Sequence, residues 1–203
     1  MANKILLNKN TLATLKTELK EYHIALPVFE MKEQQLKELF QAIAEGISKL
    51  EASIERINED TRPWVGVFAE KVEALNHAVK IKKLITTSRE VAGLPIKEFE
   101  AIYFEDTNID TFNTPLWVDT AIELIKDQKA NLRTIELEQQ NMLLVQEELA
   151  EARRMKNALK EVFIPETKDN IRKIEIYLGD VERLAIGCAK LVKKKKQKKK
   201  AAL

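Results

Sequence analysis

Residues 12–57 read LATLKTELKEYHIALPVFEMKEQQLKELFQAIAEGISKLEASIERI, and their spacing decides the fold. Steps of three and four from Leu12 land on Leu15, Leu19, Tyr22, Leu26, Phe29, Glu33 and Leu36, then on Phe40, Ile43, Ile47, Leu50, Ile54 and Ile57. Glu33 is the one fault in the apolar series. A surface helix of a globular domain does not sustain so long a heptad pattern, so the stretch reads as one half of a coiled coil. The positions between are mostly Lys, Glu and Gln, which solvate the other faces. A helix over 8–60 spans roughly 75 Å at the α-helical rise. Pro27 lies inside the pattern, lacks a donor and crowds the preceding turn, so a kink is expected there. The seam continues through it, which argues against a break.

A second seam occupies the C-terminal half. Ile135, Met142 and Leu149 recur every seven residues, and Val145, Ala152 and Leu159 form the companion row. Around Phe163 and Pro165 the phase slips by one residue. A faultless run then follows through Ile171, Ile174, Leu178, Val181, Ala185, Cys188 and Val192. Two long seams separated by a compact middle predict an antiparallel pair. Burial of both stripes is then the main source of stability, and Ile47→Asp is expected to cost several kcal/mol (about 1.5–3 for the lost side-chain burial alone).

The middle differs in composition. Pro63, Pro95, Pro115, both tryptophans (Trp64, Trp117) and two glycines (Gly66, Gly93) fall between residues 63 and 117. Residues 79–86 and 96–104 are rich in β-branched and aromatic side chains, and the segment with Gly93 and Pro95 between them reads as a turn. The acidic, threonine-rich 105–114 stretch reads as a surface loop, with Pro115 starting the returning helix. The predicted fold is mainly α: a long antiparallel two-helix coiled coil with a small head at one end, holding a β-hairpin and short helices. The expected divisions are a helix over 1–62, the head over 63–117, a helix over 118–192 and a basic tail over 193–203.

Composition agrees and excludes several functions. Of the 203 residues 33% are charged, while glycine and proline number five each, too few for a turn-rich β fold. One cysteine gives no disulfide framework, and no apolar run approaches the roughly 18 residues of a membrane span. A soluble, cytoplasmic protein is expected. There is no Gly-x-x-x-x-Gly-Lys or Gly-x-Gly-x-x-Gly phosphate cradle, so no nucleotide cofactor is expected. The three serines (Ser48, Ser53, Ser88) lack a nucleophile context, and His23, His77 and Cys188 are too scattered to hold a metal. Cys188, at a seam position, reads as a small apolar filler. No catalytic site is expected on this chain. Charge is distributed unevenly. Seven of the 34 basic residues lie within 193–200, leaving 27 basic against 32 acidic elsewhere. That run has no interleaved aromatic residue for base stacking, which argues against a nucleic-acid site.

In the C-terminal helix the residues become specific. Arg153 and Arg154, then Asn157-Ala158-Leu159 and Val162-Phe163-Ile164-Pro165, resemble the signature of the D subunit of V/A-type rotary ATPases. Ile171-Arg172, Ile174, Leu178 and Glu182-Arg183 follow that family's spacing. Lys9, Leu12, Leu15-Lys16, Leu19, Val28-Phe29, Lys32 and Leu36 resemble its opening, and Val91-Ala92-Gly93-Leu94-Pro95 its hairpin element in shortened form. Glu33 stands where the family commonly has arginine, and Lys160 where it has glutamate. The resemblance implies a central-stalk rotor subunit that transmits torque between a catalytic hexamer of A and B subunits and the ion-translocating membrane ring. Its implied partners are those A and B subunits, the small central-stalk F subunit and the subunit that caps the ring. It implies a cytoplasmic location peripheral to the membrane, with no direct insertion. Pro27 and the phase slip are candidate sources of a bend.

Helix arithmetic adds one expectation. If the helices meet the head near residues 60 and 118, equal rise sets Met1 near Tyr177. The seam beyond would then have no partner within the chain. Leu178, Val181, Leu184 and Cys188 are the expected bearing surface toward the hexamer. A coiled-coil scaffold such as a secretion-system stalk is the alternative reading, and a basic-tail nucleic-acid binder a more distant one.

Overall fold

A computed structural model describes residues 6–63, 66, 79–105, 115 and 117–200, the side chains of 199 and 200 excepted. Trp64, His77, Met1 and residues 106–114 of the expected loop lie outside the described residues. The elements in order are α1 (Lys9–Thr61), β1 (Ile81–Val91), β2 (Leu94–Phe104), α2 (Trp117–Asn157), a π-helical segment (Ala158–Phe163) and α3 (Ile164–Lys200). The chain divides into two compact units, Met1–Met31 with Ala152–Leu203, and Lys32–Glu151.

Helix α1 starts where its first free amides find an acceptor. The Thr11 N–H donates to Asn8 Oδ1 at 2.7 Å, an N-cap that offsets one orphan donor. At the other end the Thr61 hydroxyl donates to the Ile57 carbonyl at 2.7 Å. Between them the helix is continuous and includes Pro27, so the proline does not break it. Every seam position read from the sequence between Leu12 and Ile57 is buried or half-buried, with Leu36, Ile43 and Ile47 buried. The fault at Glu33 is buried as well, at 6% exposure. Its carboxylate takes a salt bridge from Lys37, one turn on, at 2.6 Å.

In the unit holding the chain ends, Tyr22 stacks on Phe163, with ring centroids 5.8 Å apart at 27°, and Lys16 pairs with Glu175 at 2.6 Å. The two contacts run in opposite chain directions, which fixes the helices as antiparallel there. They also correct the register. Equal rise set Tyr22 opposite position 156, one heptad short of Phe163. A slip of one heptad leaves seam facing seam, so the hydrophobic period is blind to it. Ile164, Ile171 and Ile174 supply the buried face of α3, joined by Thr167.

In the unit of Lys32–Glu151, Lys32 pairs with Glu148 and the Gln128 amide donates to Asn58 Oδ1 at 3.0 Å, again antiparallel. Ile135, Val145 and Leu149 form the buried row of α2, with Met142 half-buried. At the start of α2, Val118 and Ile122 pack with Val79, flanked by Trp117 and Ile125. The Val118 N–H donates to the Pro115 carbonyl at 3.1 Å, so Pro115 opens that helix as expected.

The two strands form an antiparallel hairpin longer than the sequence suggested. Its turn is Ala92-Gly93, with φ of 53° and 83°. Two successive positive φ values match the right-handed twist of the strands, and glycine adopts such a φ without a Cβ clash. Pro95 is not in the turn; it sits in β2 opposite Glu90, in a sheet whose two strands are both edges. Irregularities between Ile81 and Lys83 and between Ile85 and Thr86 bend β1.

Candidate functional site

Three features carry the functional reading, and the first is the uncovered end of α3. Leu178 is half-buried, but every described residue from Asp180 to Lys198 is exposed. The seam residues Val181 and Val192 are 44% and 52% exposed, too much for a partner inside the chain, and Leu184 and Leu191 beside them are 69% and 61% exposed. Leu184, Cys188 and Leu191 lie at i, i+4 and i+7, on one side of the helix. They line a shallow groove with Gly187 and with Asp180 and Arg183, which pair at 3.2 Å. Val181 adds to the same stripe. Of the four expected bearing residues, Val181, Leu184 and Cys188 are exposed and Leu178 is half-buried. Cys188 is a free, exposed thiol rather than a filler of an internal seam.

The second feature is the signature segment. Asn157 is the last residue of α2, Ala158–Phe163 form the π-helical segment, and Ile164 and Pro165 begin α3. The Ile164 N–H donates to the Leu159 carbonyl, five residues back. Such a wide turn absorbs one extra residue while the flanking helices keep their buried faces. This is the structural form of the one-residue phase slip. Leu159 and Ile164 stay buried on either side of it, while Val162 and Phe163 are carried to 51% and 40% exposure. Pro165 brings no N–H and stands where the ladder changes from one spacing to the other.

The third feature was not foreseen from the sequence. Asn141 is 2% exposed and holds the hairpin against α2. The Lys97 N–H donates to Asn141 Oδ1 at 3.2 Å, and Asn141 Nδ2 donates to the Lys97 carbonyl at 2.7 Å. A second tie lies twelve positions earlier on α2, where Lys129 Nζ donates to the Val79 carbonyl at 2.8 Å. Ile96 is buried, and Lys126 Nζ sits 5.4 Å from the Phe104 ring centroid. The hairpin thus lies along the flank of α2, spanning roughly 18 Å of it. An asparagine on a helix otherwise solvated by Glu and Gln gives no signal in sequence. Its partner is a main-chain group made available only by the tertiary fold.

Among the described residues no group of His, Cys, Asp and Glu could hold a metal ion, and no helix is long and apolar enough to cross a membrane. The family model described as the ATP synthase D subunit matches residues 11–194. The chain belongs to that family. It is 33% identical to the V-type ATP synthase D subunit of Borreliella burgdorferi over 192 residues, covering 94% of each chain. Against the V-type ATP synthase D subunit of Chlamydia felis it is 27% identical over 207 residues, covering 98% of this chain and 97% of that one. The corresponding D subunit of Chlamydia trachomatis serovar A is 26% identical over 206 residues, covered in full. The match to the ATP synthase D-subunit family takes in both seams, the hairpin and the uncovered stripe. It places the chain in a multi-subunit ATPase complex.

Proposed function

We propose that this chain is the central-stalk subunit of a V/A-type rotary ATPase, carrying torque between the catalytic A and B subunits and the membrane ring. The apolar stripe on the uncovered part of α3, in a chain matched to the D-subunit family over 11–194, carries this reading. A subunit with no catalytic site acts by contact. Turning its uncovered helix end inside a ring of catalytic sites presents a different face to each, and each site shifts toward the conformation that face binds better. The ATP chemistry then resides in the partners, and this chain supplies stiffness and asymmetry. Two helices locked by paired seams resist twisting better than one.

The bearing surface is Val181, Leu184 and Cys188, with Leu178 at its inner edge. The head, over 63–117 with its hairpin, takes the small F subunit and seats on the subunit that caps the membrane ring. On this reading the chain is cytoplasmic and peripheral to the membrane through the complex. Reconstitution with the A/B hexamer tests it. Omitting the chain is expected to abolish rotation and coupled ion transport while some ATP hydrolysis persists. Coupled transport at full rate without it would refute the proposal.

A further inference from the structure

The last described turns of α3 differ from a solvated charged face in how their charge is placed. Lys193, Lys194, Lys195, Lys196 and Lys198 are all exposed on a continuous helix. At 100° per residue they point in every direction around the axis, with no gap wider than about 100°. Like charges one turn apart, such as Lys194 and Lys198, repel and weaken an isolated helix. The helix dipole offsets this only in the final turn. Such a segment is best neutralised by anions on all sides. An interfacial membrane helix needs one apolar and one charged face, which this arrangement lacks. A nucleic-acid strand finds no aromatic platform here, since Tyr177 is the last aromatic residue of the chain.

We infer that the lysine-rich end of α3 seats in a closed acidic collar of a surrounding protein assembly and acts as a rotationally unselective pivot. The inference rests on the shaft reading above, with the collar belonging to the catalytic hexamer. Continuity supports that occupant, because the apolar stripe through Leu184, Cys188 and Leu191 runs directly into the cationic turns. A charge spread evenly around an axis attracts a ring without preferring an angle. The tail therefore draws the helix into the collar and holds it on the axis, and leaves angular preference to the one-sided apolar stripe.

The test uses the full chain, a variant with all seven lysines of 193–200 changed to glutamine, and one with the same seven changed to arginine. Association of each with the A/B hexamer is followed in about 50 mM and about 500 mM salt, where screening differs severalfold. The glutamine variant is expected to associate at least roughly tenfold more slowly in low salt and like the unmodified chain in high salt. The arginine variant should keep the unmodified behaviour. Rotation of complexes already assembled should pause at the same angles in all three. Equal association of the glutamine variant in low salt, or altered pause angles, overturns the pivot and leaves the shaft reading standing. Failure of the unmodified chain to bind the hexamer at either salt overturns both. Tighter low-salt binding of the unmodified chain to phosphatidylserine vesicles or duplex oligonucleotide than to the hexamer overturns the collar as its target.

Discussion

Asn141 and Glu33 are two buried polar side chains with opposite energetic signs. Asn141 satisfies both main-chain groups of Lys97. Asn141→Leu removes the side-chain partner of both part-buried groups and should destabilise the protein by about 0.5–1.5 kcal/mol. Amide exchange should accelerate first at Lys97 and its cross-strand neighbour Ser88, ahead of the α2 amides. Glu33 instead places a carboxylate at a seam position that the period reserves for an apolar group. A well-packed hydrophobic residue in place of a buried ion is often neutral or stabilising, whereas leaving a buried partner charge is costly. Lys37 is half-exposed and can turn to water, so that pair by itself does not oppose an apolar replacement of Glu33. The position of Glu33 was readable as a fault in the series, because a period makes every exception visible. Its burial was not, since a charged residue on a helix reads by default as solvated.

At the scale of elements, the wide turn over Ala158–Phe163 gives the sharpest expectation. If it absorbs one extra residue, removing the exposed Lys160 should restore regular helix and leave Leu159 and Ile164 in one seam. Thermal unfolding of that deletion should stay within a few degrees of the unmodified chain. Deleting Lys168 regains the phase of Ile171 and Ile174 only by turning the buried Ile164 and Thr167 about 100° out of the core, so it should cost more than the Lys160 deletion. The slip itself was legible in the spacing of apolar residues. That it takes π form was not, because the period records the extra residue but not the hydrogen bonds that accommodate it. In the hairpin, Ala92 holds a φ of 53°, and Ala92→Asn should stabilise by up to about 1 kcal/mol because asparagine tolerates that region better. The strands were legible in their β-branched content. The turn was misplaced by including Pro95, whose ring is equally at home in a turn and on a sheet edge.

For the whole molecule, stability and assembly should separate. Leu184 is among the most exposed large apolar residues, so Leu184→Asp should leave the stability of the isolated chain within about 0.5 kcal/mol of the unmodified value in thermal unfolding. Binding to the A/B hexamer, by contrast, should weaken, as a titration of the two would register. Cross-linking from position 184 should capture A or B subunits; capture of only the head's partners would count against the bearing. Antiparallel pairing was legible from two seams and one compact middle. The register was not, because Tyr22 facing Phe163 or a residue one heptad earlier satisfies the same pattern, and the aromatic stack and the Lys16–Glu175 pair distinguish them. The uncovered end survives that correction, since exposure begins at Asp180.

The two bonds between Asn141 and the hairpin reach only peptide atoms of Lys97, and peptide atoms are the same in every sequence. The anchorage is therefore indifferent to which side chain stands at position 97. A hairpin transplanted from a relative of different composition would keep these two bonds, provided its strand presents a main-chain N–H and C=O at that level. The hairpin is in this sense an exchangeable cassette, whose outward chemistry can diverge between relatives while its attachment stays constant.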